Sequence, residues 1–217
     1  MKNISIFVLV IVVFFLVGCT KENFIKSGVC DGRFNGSLLE YMEAPGHSYD
    51  WDSTALMVRH AGDEVIRLFE GQHPDYPEIT FFGPTNHSVR RYMLQNGIKR
   101  VEDLDPGWCK EILLKHIVKG KIYRDDVTAG KSGGSQTGEE GETVVGEGGD
   151  ILETIVRTKI WVYSFRESYS GIEDLGANSL YLKSFDQGIL LEIVSTDIEP
   201  DNCVVHSLSY AYTLGEI

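Results

Sequence analysis

The sequence predicts an α+β fold, a single domain in which short helices pack on a β-sheet. Three observations carry this expectation. Apolar residues recur at i, i+3 and i+4 through the first half of the chain and at every second position through the last third. The two patterns are separated by a Gly- and Glu-rich stretch, residues 128–150, and do not alternate as they would in a βαβ protein. A chain of 217 residues is the length of one ordinary domain with a real core.

The helical half divides at its own punctuation. Asp52-Ser53 can cap a helix carrying Ala55, Leu56 and Val58, and Gly62 ends it. Asp63 opens a second short helix with Val65, Ile66 and Phe69 on one side, stopped by Gly71. Ile79-Thr80-Phe81-Phe82 reads as a strand cut off by Gly83-Pro84, since Pro fixes φ and cannot donate. Asn86 or Thr85 is placed to cap the next helix, with Val89, Tyr92 and Met93 on its apolar face and Asn96-Gly97 as a left-handed stop. Asp105-Pro106 supplies an N-cap and a Pro at the first helical position, opening a helix lined by Trp108, Ile112, Leu113 and Ile117 that runs to Gly120. Helices this short depend on packing against something else.

That partner is downstream. Ile151 to Phe165 alternates as one long strand, with Leu152, Thr154, Val156, Thr158, Ile160 and Val162 on one side and Trp161, Tyr163 and Phe165 on the other. Leu180 to Phe185, Ile189 to Ser195, Asn202 to Ser207 and Tyr210 to Leu214 are further strand-like runs. Residues 128–150 read as a flexible solvated loop, with Thr143-Val144-Val145 as a strand stub.

The first residues read as an address. Ile4 to Val17 is apolar except for Ser5, shorter than a membrane span of about 20 residues and the size of a signal-peptide core. It ends in Leu16-Val17-Gly18-Cys19, which resembles a bacterial lipobox. Residues 1–18 are then a lipoprotein signal peptide, Cys19 the lipidated residue, 19–31 a polar tether and 32–217 the folded domain. Two or three acyl chains give stable anchoring where one would be marginal, and a dozen flexible residues reach about 20 Å. Thr20 in place of Asp favours, by resemblance to the bacterial sorting pattern, the outer membrane.

Composition narrows the partners. Twenty basic against 32 acidic residues, a formal charge of −12, argues against binding DNA or RNA through phosphates. With Cys19 acylated, Cys30, Cys109 and Cys203 allow one disulfide at most, and without paired Cys/His spacing a metal site is not expected. Gly130-Lys131-Ser132 imitates the end of a phosphate loop, but Asp125 stands where the first Gly is required. Asp31-Arg33-Asn35-Gly36 begins like a calcium loop, but Arg33 replaces a ligand and Met42 the closing Glu. No Gly-x-Ser-x-Gly occurs, and Glu139-Glu140 and Asp125-Asp126 read as solvated charge runs. No catalytic residues and no cofactor are expected.

The order of the elements carries a resemblance. Ile79-Thr80-Phe81-Phe82-Gly83-Pro84-Thr85-Asn86 resembles the first signature of the fasciclin domain family, a strand reading T-x-F-A-P-T-N before a helix. Leu113-Leu114-Lys115-His116-Ile117-Val118-Lys119-Gly120-Lys121 is similar to its L-x-x-H-V-V-x-G-K stretch. Val194-Ser195-Thr196-Asp197-Ile198, followed by Asn202-Cys203-Val204-Val205-His206-Ser207-Leu208, resembles the closing D-I…N-G-V-I-H-V-I strand pair. Phe34 to Met42 resembles the opening of bacterial, Bacteroidetes-type lipoprotein members. Gly83 stands for the usual Ala, Val89 for a Phe, Lys115 for a frequent Tyr and Cys203 for a Gly, and 128–180 is longer than the usual link.

The resemblance implies helices on a β-sheet wedge or sandwich, structural roles for Thr85, Asn86 and His116, and adhesion or extracellular interaction without catalysis. It also implies an interaction loop at Asp197-Ile198, because fasciclin domains elsewhere use Asp-Ile stretches toward cell-surface receptors. Tyr41, Tyr49, Trp51, Trp161, Tyr163, Tyr169 and Tyr181 offer an alternative, a glycan-binding accessory lipoprotein of an outer-membrane uptake system. For Trp161 and Tyr163 the favoured reading is that they simply pack the sheet. The expected setting is the outer membrane, lipid-anchored and cell-surface, with a periplasm-facing structural lipoprotein as a third reading.

Overall fold

A computed structural model describes residues 32–133 and 146–217. The signal peptide, the tether with Cys19 and Cys30, and the Thr143-Val144-Val145 stub lie outside the described residues. From Gly32 the chain forms a two-residue strand, β1 (Arg33–Phe34), and three helices: α1 (Leu38–Glu43), α2 (Ser48–His60) and α3 (Asp63–Phe69). Strand β2 (Ile79–Gly83) leads to α4 (Asn86–Gln95), a 3₁₀ turn at Val101–Asp103, α5 (Pro106–Lys115) and β3 (Ile117–Lys119). The strand half holds β4 (Gly130–Lys131), β5 (Glu147–Gly148), β6 (Asp150–Glu153), β7 (Lys159–Arg166), β8 (Asn178–Ser184), β9 (Leu190–Pro200) and β10 (Cys203–Leu208). Helices and strands are segregated as an α+β chain requires.

The main sheet runs β3-β2-β10-β9-β8-β7-β6, with β1 added parallel to the end of β9. Its centre is the parallel pair β2 and β10, in register from Ile79 beside Cys203 to Gly83 beside Ser207. The sheet curls until its edges touch: Val118 of β3 bridges Thr154 after β6, and the Ile155 amide donates to the Ile117 carbonyl at 2.9 Å. Inside lies one continuous core, with Met42, Met57, Val58 and Phe69 from the helices and Phe81, Ile160, Leu182 and Val205 from the strands. Helix α2 is the hub, touching each of the other four helices. Gly83 is required where it stands, because a Cβ there would lie 2.7 Å from the Trp51 ring of α2. That close approach accounts for one departure from the family pattern.

Several elements differ from the expectation, each for a local reason. Helix α1 adds to the expected elements, and Ser37 and Glu40 form a full capping box at its start. Helix α2 begins at Ser48, not at Asp52-Ser53, with His47 before it donating from Nδ1 to the Tyr41 carbonyl at 2.6 Å. Helix α5 stops at Lys115, and Ile117 to Lys119 leaves it to pair with β2, a partner that β-branched Ile117-Val118 suits.

The long strand expected at 151–165 is the hairpin β6–β7. Thr154 makes its turn, bonding Thr158 in both directions at 2.9 and 3.1 Å and accepting from Arg157, which holds φ +66°. No Gly, Pro or Asn marks that turn. Tyr210 to Leu214 is a set of turns and not a strand, with the Tyr212 amide donating to the Ser209 carbonyl at 2.9 Å. The described ends of the 128–150 stretch are ordered as the ribbon β4–β5 against β7.

Candidate functional site

Thr85, Asn86 and His116 are all buried, and Asn86 and His116 spend their hydrogen bonds inside the fold. Asn86, the first residue of α4, does not cap its own helix. Its Oδ1 accepts from the Ser53 amide at 2.6 Å, while Nδ2 donates to the Ser48 and Tyr49 carbonyls at 2.7 Å each. The carboxamide thus inserts into the hydrogen-bond ladder of α2 at its second turn. The capping signal read at Asp52-Ser53 reflects this place, where an amide takes an acceptor from outside its own helix. Thr85 occupies the N-cap position without a side-chain cap; its carbonyl accepts from the Ser88 and Val89 amides. Its Oγ1 and the Ser88 Oγ are buried without a partner among the described residues. Thr54 completes the junction by donating to the Pro84 carbonyl at 2.7 Å.

His116 caps the end of α5 and is 1% exposed. Its Nδ1 lies 2.7 Å from the Ile112 carbonyl and its Nε2 2.7 Å from the Tyr212 hydroxyl. A carbonyl only accepts, so Nδ1 carries the proton and Nε2 accepts from Tyr212. Burial holds the imidazole pKa down at about 4, against the smaller opposing effect of the Ile112 bond. Both ring nitrogens are occupied, which leaves His116 unable to pass a proton to a substrate. Burial likewise pushes the Tyr212 hydroxyl up.

Two motif residues do work the sequence did not assign. Asn202 accepts from the Leu38 amide at 2.9 Å and donates to the Leu68 and Phe69 carbonyls at 3.4 and 3.3 Å, tying the start of α1 to the end of α3. His206 is fully buried, stacks on Phe82 at 5.5 Å and donates from Nε2 to the Ile122 carbonyl at 2.9 Å. Its position in a closing strand that is otherwise apolar but for Ser207 is the signal available.

Asp197-Ile198 does not form a loop. The pair lies within β9 where its pairing with β10 slips, and Asp197 holds φ +58°. The Asp197 carboxylate accepts from the Arg124 amide at 2.8 Å, and its carbonyl packs against Gly32. Both residues are half-buried. The bulge arises because β9 must serve β8, β10 and β1 in one run.

The aromatic candidates divide. Trp51, Trp161 and Tyr163 are buried. Trp161, Tyr163 and Tyr181 stack in a row at 4.4 and 5.2 Å across β7 and β8, and the β4–β5 ribbon and its flanking glycines cover Trp161 and Tyr163. Trp161 Nε1 donates to the Gly148 carbonyl at 2.9 Å, and any Cβ at Gly146 or Gly149 would collide with the indole. The glycines of this stretch therefore serve close packing over a ring, and Trp161 and Tyr163 are not free to meet a sugar. Tyr49 and Tyr169 are exposed, and Tyr41 is half-buried against Phe34 and His47. Tyr49 meets His87 edge-on at 5.7 Å, and His87 lies 4.2 Å from Tyr210. The Tyr210 hydroxyl donates to Asp50 at 2.8 Å, and Arg91 donates to the Tyr210 and Ala211 carbonyls at 2.7 Å. Three distant segments build this platform, so neither His87 nor Tyr210 carries a local sequence signal for it.

A cleft of about 470 Å³ beside α1 is lined by Glu40, Glu70, Glu78, Asp201 and their neighbours. No group of three or more His, Cys, Asp or Glu among the described residues is placed to hold a metal ion. Cys109 and Cys203 are buried free thiols, with burial pushing Cys109 up to about 11 and Cys203 higher.

Comparison with known proteins fits this geometry. No curated protein matches the sequence. The FAS1 domain pair of the insect cell adhesion molecule Fasciclin I shares the fold, with a TM-score of 0.50 and 14% identity. The match covers 79% of this chain and 47% of that one, so this chain spans about half the length of its structural relative. The family model of the fasciclin domain matches residues 57–211, from the last turn of α2 to the turns after β10, and takes in Asn86, His116 and Asn202. The chain belongs to the fasciclin domain family.

Proposed function

We propose that this chain is a lipid-anchored, non-catalytic interaction module of the bacterial outer membrane, displayed at the cell surface and acting in adhesion. The observation that carries the reading is the inward use of the signature side chains: Asn86, His116 and Asn202 spend their hydrogen bonds on the fold. Such residues hold a rigid scaffold, and its outer surface is left to meet partners. The lipobox-like Leu16 to Cys19 supports anchoring, with Cys19 carrying the acyl chains. Asp197-Ile198 contributes to this role as a rigid half-buried stretch of β9 and not as a mobile loop.

The test is antibody labelling of intact cells, with Cys19→Ala as the anchoring control. Labelling of the parent and its loss from cells bearing the variant would support the reading. Protection until the outer membrane is broken would overturn the surface role and leave a periplasm-facing structural lipoprotein.

A second reading, glycan binding, is favoured by the platform of Tyr49, His87 and Tyr210. Tyr49 is 68% and Tyr210 44% exposed, and Asp50 and Arg91 already hold the platform in place. Pre-organised rings of this kind suit the C–H face of a sugar, with the Asp50 carboxylate at the rim for hydroxyls. A glycan array probed with the parent and with Tyr49→Ala/Tyr210→Ala would show binding that the double variant loses. Equal signals from both would remove this reading.

A further inference from the structure

We propose that Asn35-Gly36 is a site of spontaneous self-modification, where the chain closes a cyclic imide and reopens it as isoaspartate, and that the isoaspartyl link releases β1 from the sheet. The closure is intramolecular. The Gly36 amide nitrogen bonds to the Asn35 side-chain carbonyl carbon as the bond to Nδ2 breaks. The amide proton passes through water to the leaving nitrogen, and ammonia departs. Water then opens the imide at either carbonyl, which leaves aspartate or isoaspartate with one added carboxylate. Gly36 suits the closure because it has no Cβ to shield its own amide.

The chain holds a second such pair, Asn96-Gly97, and the structure separates the two. At Asn96-Gly97 both reacting groups are engaged: Nδ2 donates to the Tyr92 carbonyl at 2.8 Å, and the Gly97 amide donates to the Leu94 carbonyl at 3.4 Å. At Asn35-Gly36 neither is engaged. Asn35 is exposed, and its carboxamide and the Gly36 amide make no hydrogen bond among the described residues. Gly36 also lines the cleft of about 470 Å³ beside α1, which gives water access to the imide. Two hydrogen bonds that must break first slow Asn96 by roughly tenfold relative to Asn35.

The product matters because the main chain is fixed on both sides of it. Before Asn35, Phe34 pairs beside Pro200, and the Gly32 carbonyl accepts from the Glu199 amide at 2.6 Å. After it, the Gly36 carbonyl accepts from the Asp201 amide at 2.8 Å, and the Leu38 amide donates to Asn202 at 2.9 Å. Both sets of contacts are made to one short run, Glu199 to Asn202. Isoaspartate adds a methylene to the main chain between them, so the two cannot both keep their register. The weaker side gives way. Strand β1 is two residues long, with Arg33 exposed and Phe34 half-buried, whereas α1 has its capping box and places Leu38, Leu39 and Met42 in the core. Aspartate keeps the main-chain length and leaves β1 in place.

The test incubates the purified full chain in mildly alkaline buffer and follows both Asn-Gly pairs by peptide mapping, with isoaspartyl methyltransferase to count isoaspartate. In the folded chain Asn35 should convert roughly tenfold faster than Asn96, and in urea the two rates should converge. Equal rates in the folded chain, or a faster Asn96, would overturn the proposal. A gap that persists in urea would assign the difference to local sequence and overturn it too. Limited trypsin digestion reads the second step. The converted chain, separated by ion exchange on its added charge, should be cut after Arg33 roughly five- to tenfold sooner than Asn35→Asp, which carries the same charge on an unaltered main chain. Equal cutting of the two would overturn the release of β1. Asn35→Gln, whose longer side chain closes a ring far more slowly, should keep its original cutting rate through the same incubation, and a matching rise there would also overturn it.

Discussion

Acidification should unfold this domain through His116 before its carboxylates titrate. The folded-state pKa of about 4 lies below the ordinary imidazole value of 6.5, because burial penalises the charged ring and Lys115 adds repulsion. Protonation therefore favours the unfolded chain. The contribution is fully present above pH 6.5 and is lost as pH falls toward 4. The difference of 2.5 between these pKa values corresponds to about 3 kcal/mol in all, of which about 2 kcal/mol is lost between pH 7 and 5. For a domain of this size that lowers Tm by about 4–7 °C. His206, also held down by burial, acts in the same direction, so the contrast with a variant isolates His116. His116→Gln keeps a donor and an acceptor but cannot titrate. Urea unfolding at pH 7, 6 and 5 should show the parent losing about 2 kcal/mol more than the variant over that range. Parallel losses would refute the reasoning and show that His116 is already protonated, or accessible, in the folded state.

Four further outcomes follow from the same contacts. Tyr212→Phe removes the donor to His116 Nε2 and should cost about 1–3 kcal/mol in urea unfolding, with the fold retained. Asn86→Ala leaves the Ser53 amide without its acceptor and should cost about 2–4 kcal/mol; Asn86→Asp, which sets a carboxylate against the Ser48 and Tyr49 carbonyls, should be no better. Gly149→Ala places a Cβ against Trp161 at φ +70° and should lift the β4–β5 ribbon, read as a red shift in Trp fluorescence. Cys109 and Cys203 should resist a thiol reagent at pH 8 in the folded protein and react once it unfolds, as peptide mapping would show.

The fold was legible where local chemistry and tertiary structure agree. Asp105-Pro106 starts α5, with the Asp105 carboxylate accepting from the Trp108 amide at 2.7 Å. Asn96-Gly97 ends α4 with Gly97 at φ +68°. Errors arose where a partner distant in sequence decides the outcome. Ile117 to Lys119 continues a helical pattern but is claimed by β2, and Thr154 to Thr158 continues a strand pattern while making a turn from threonine alone. The positions of the signature residues were visible, but their uses were not. A capping role is the natural reading of Asn86, whereas its hydrogen bonds run to a helix more than thirty residues earlier. Tyr210 looked like strand and forms part of a surface platform, because Arg91 and Asp50 fix it from other segments.

The central claim, that an acylated Cys19 displays a rigid adhesive module, is tested most directly by attachment. A strain lacking the chain would be complemented with the parent or with Cys19→Ala, and its retention on protein-coated and glycan-coated surfaces measured under flow. The account predicts that the parent restores retention, while the variant, folded but unanchored, does not. Equal retention with the parent, the variant and the empty vector would contradict it.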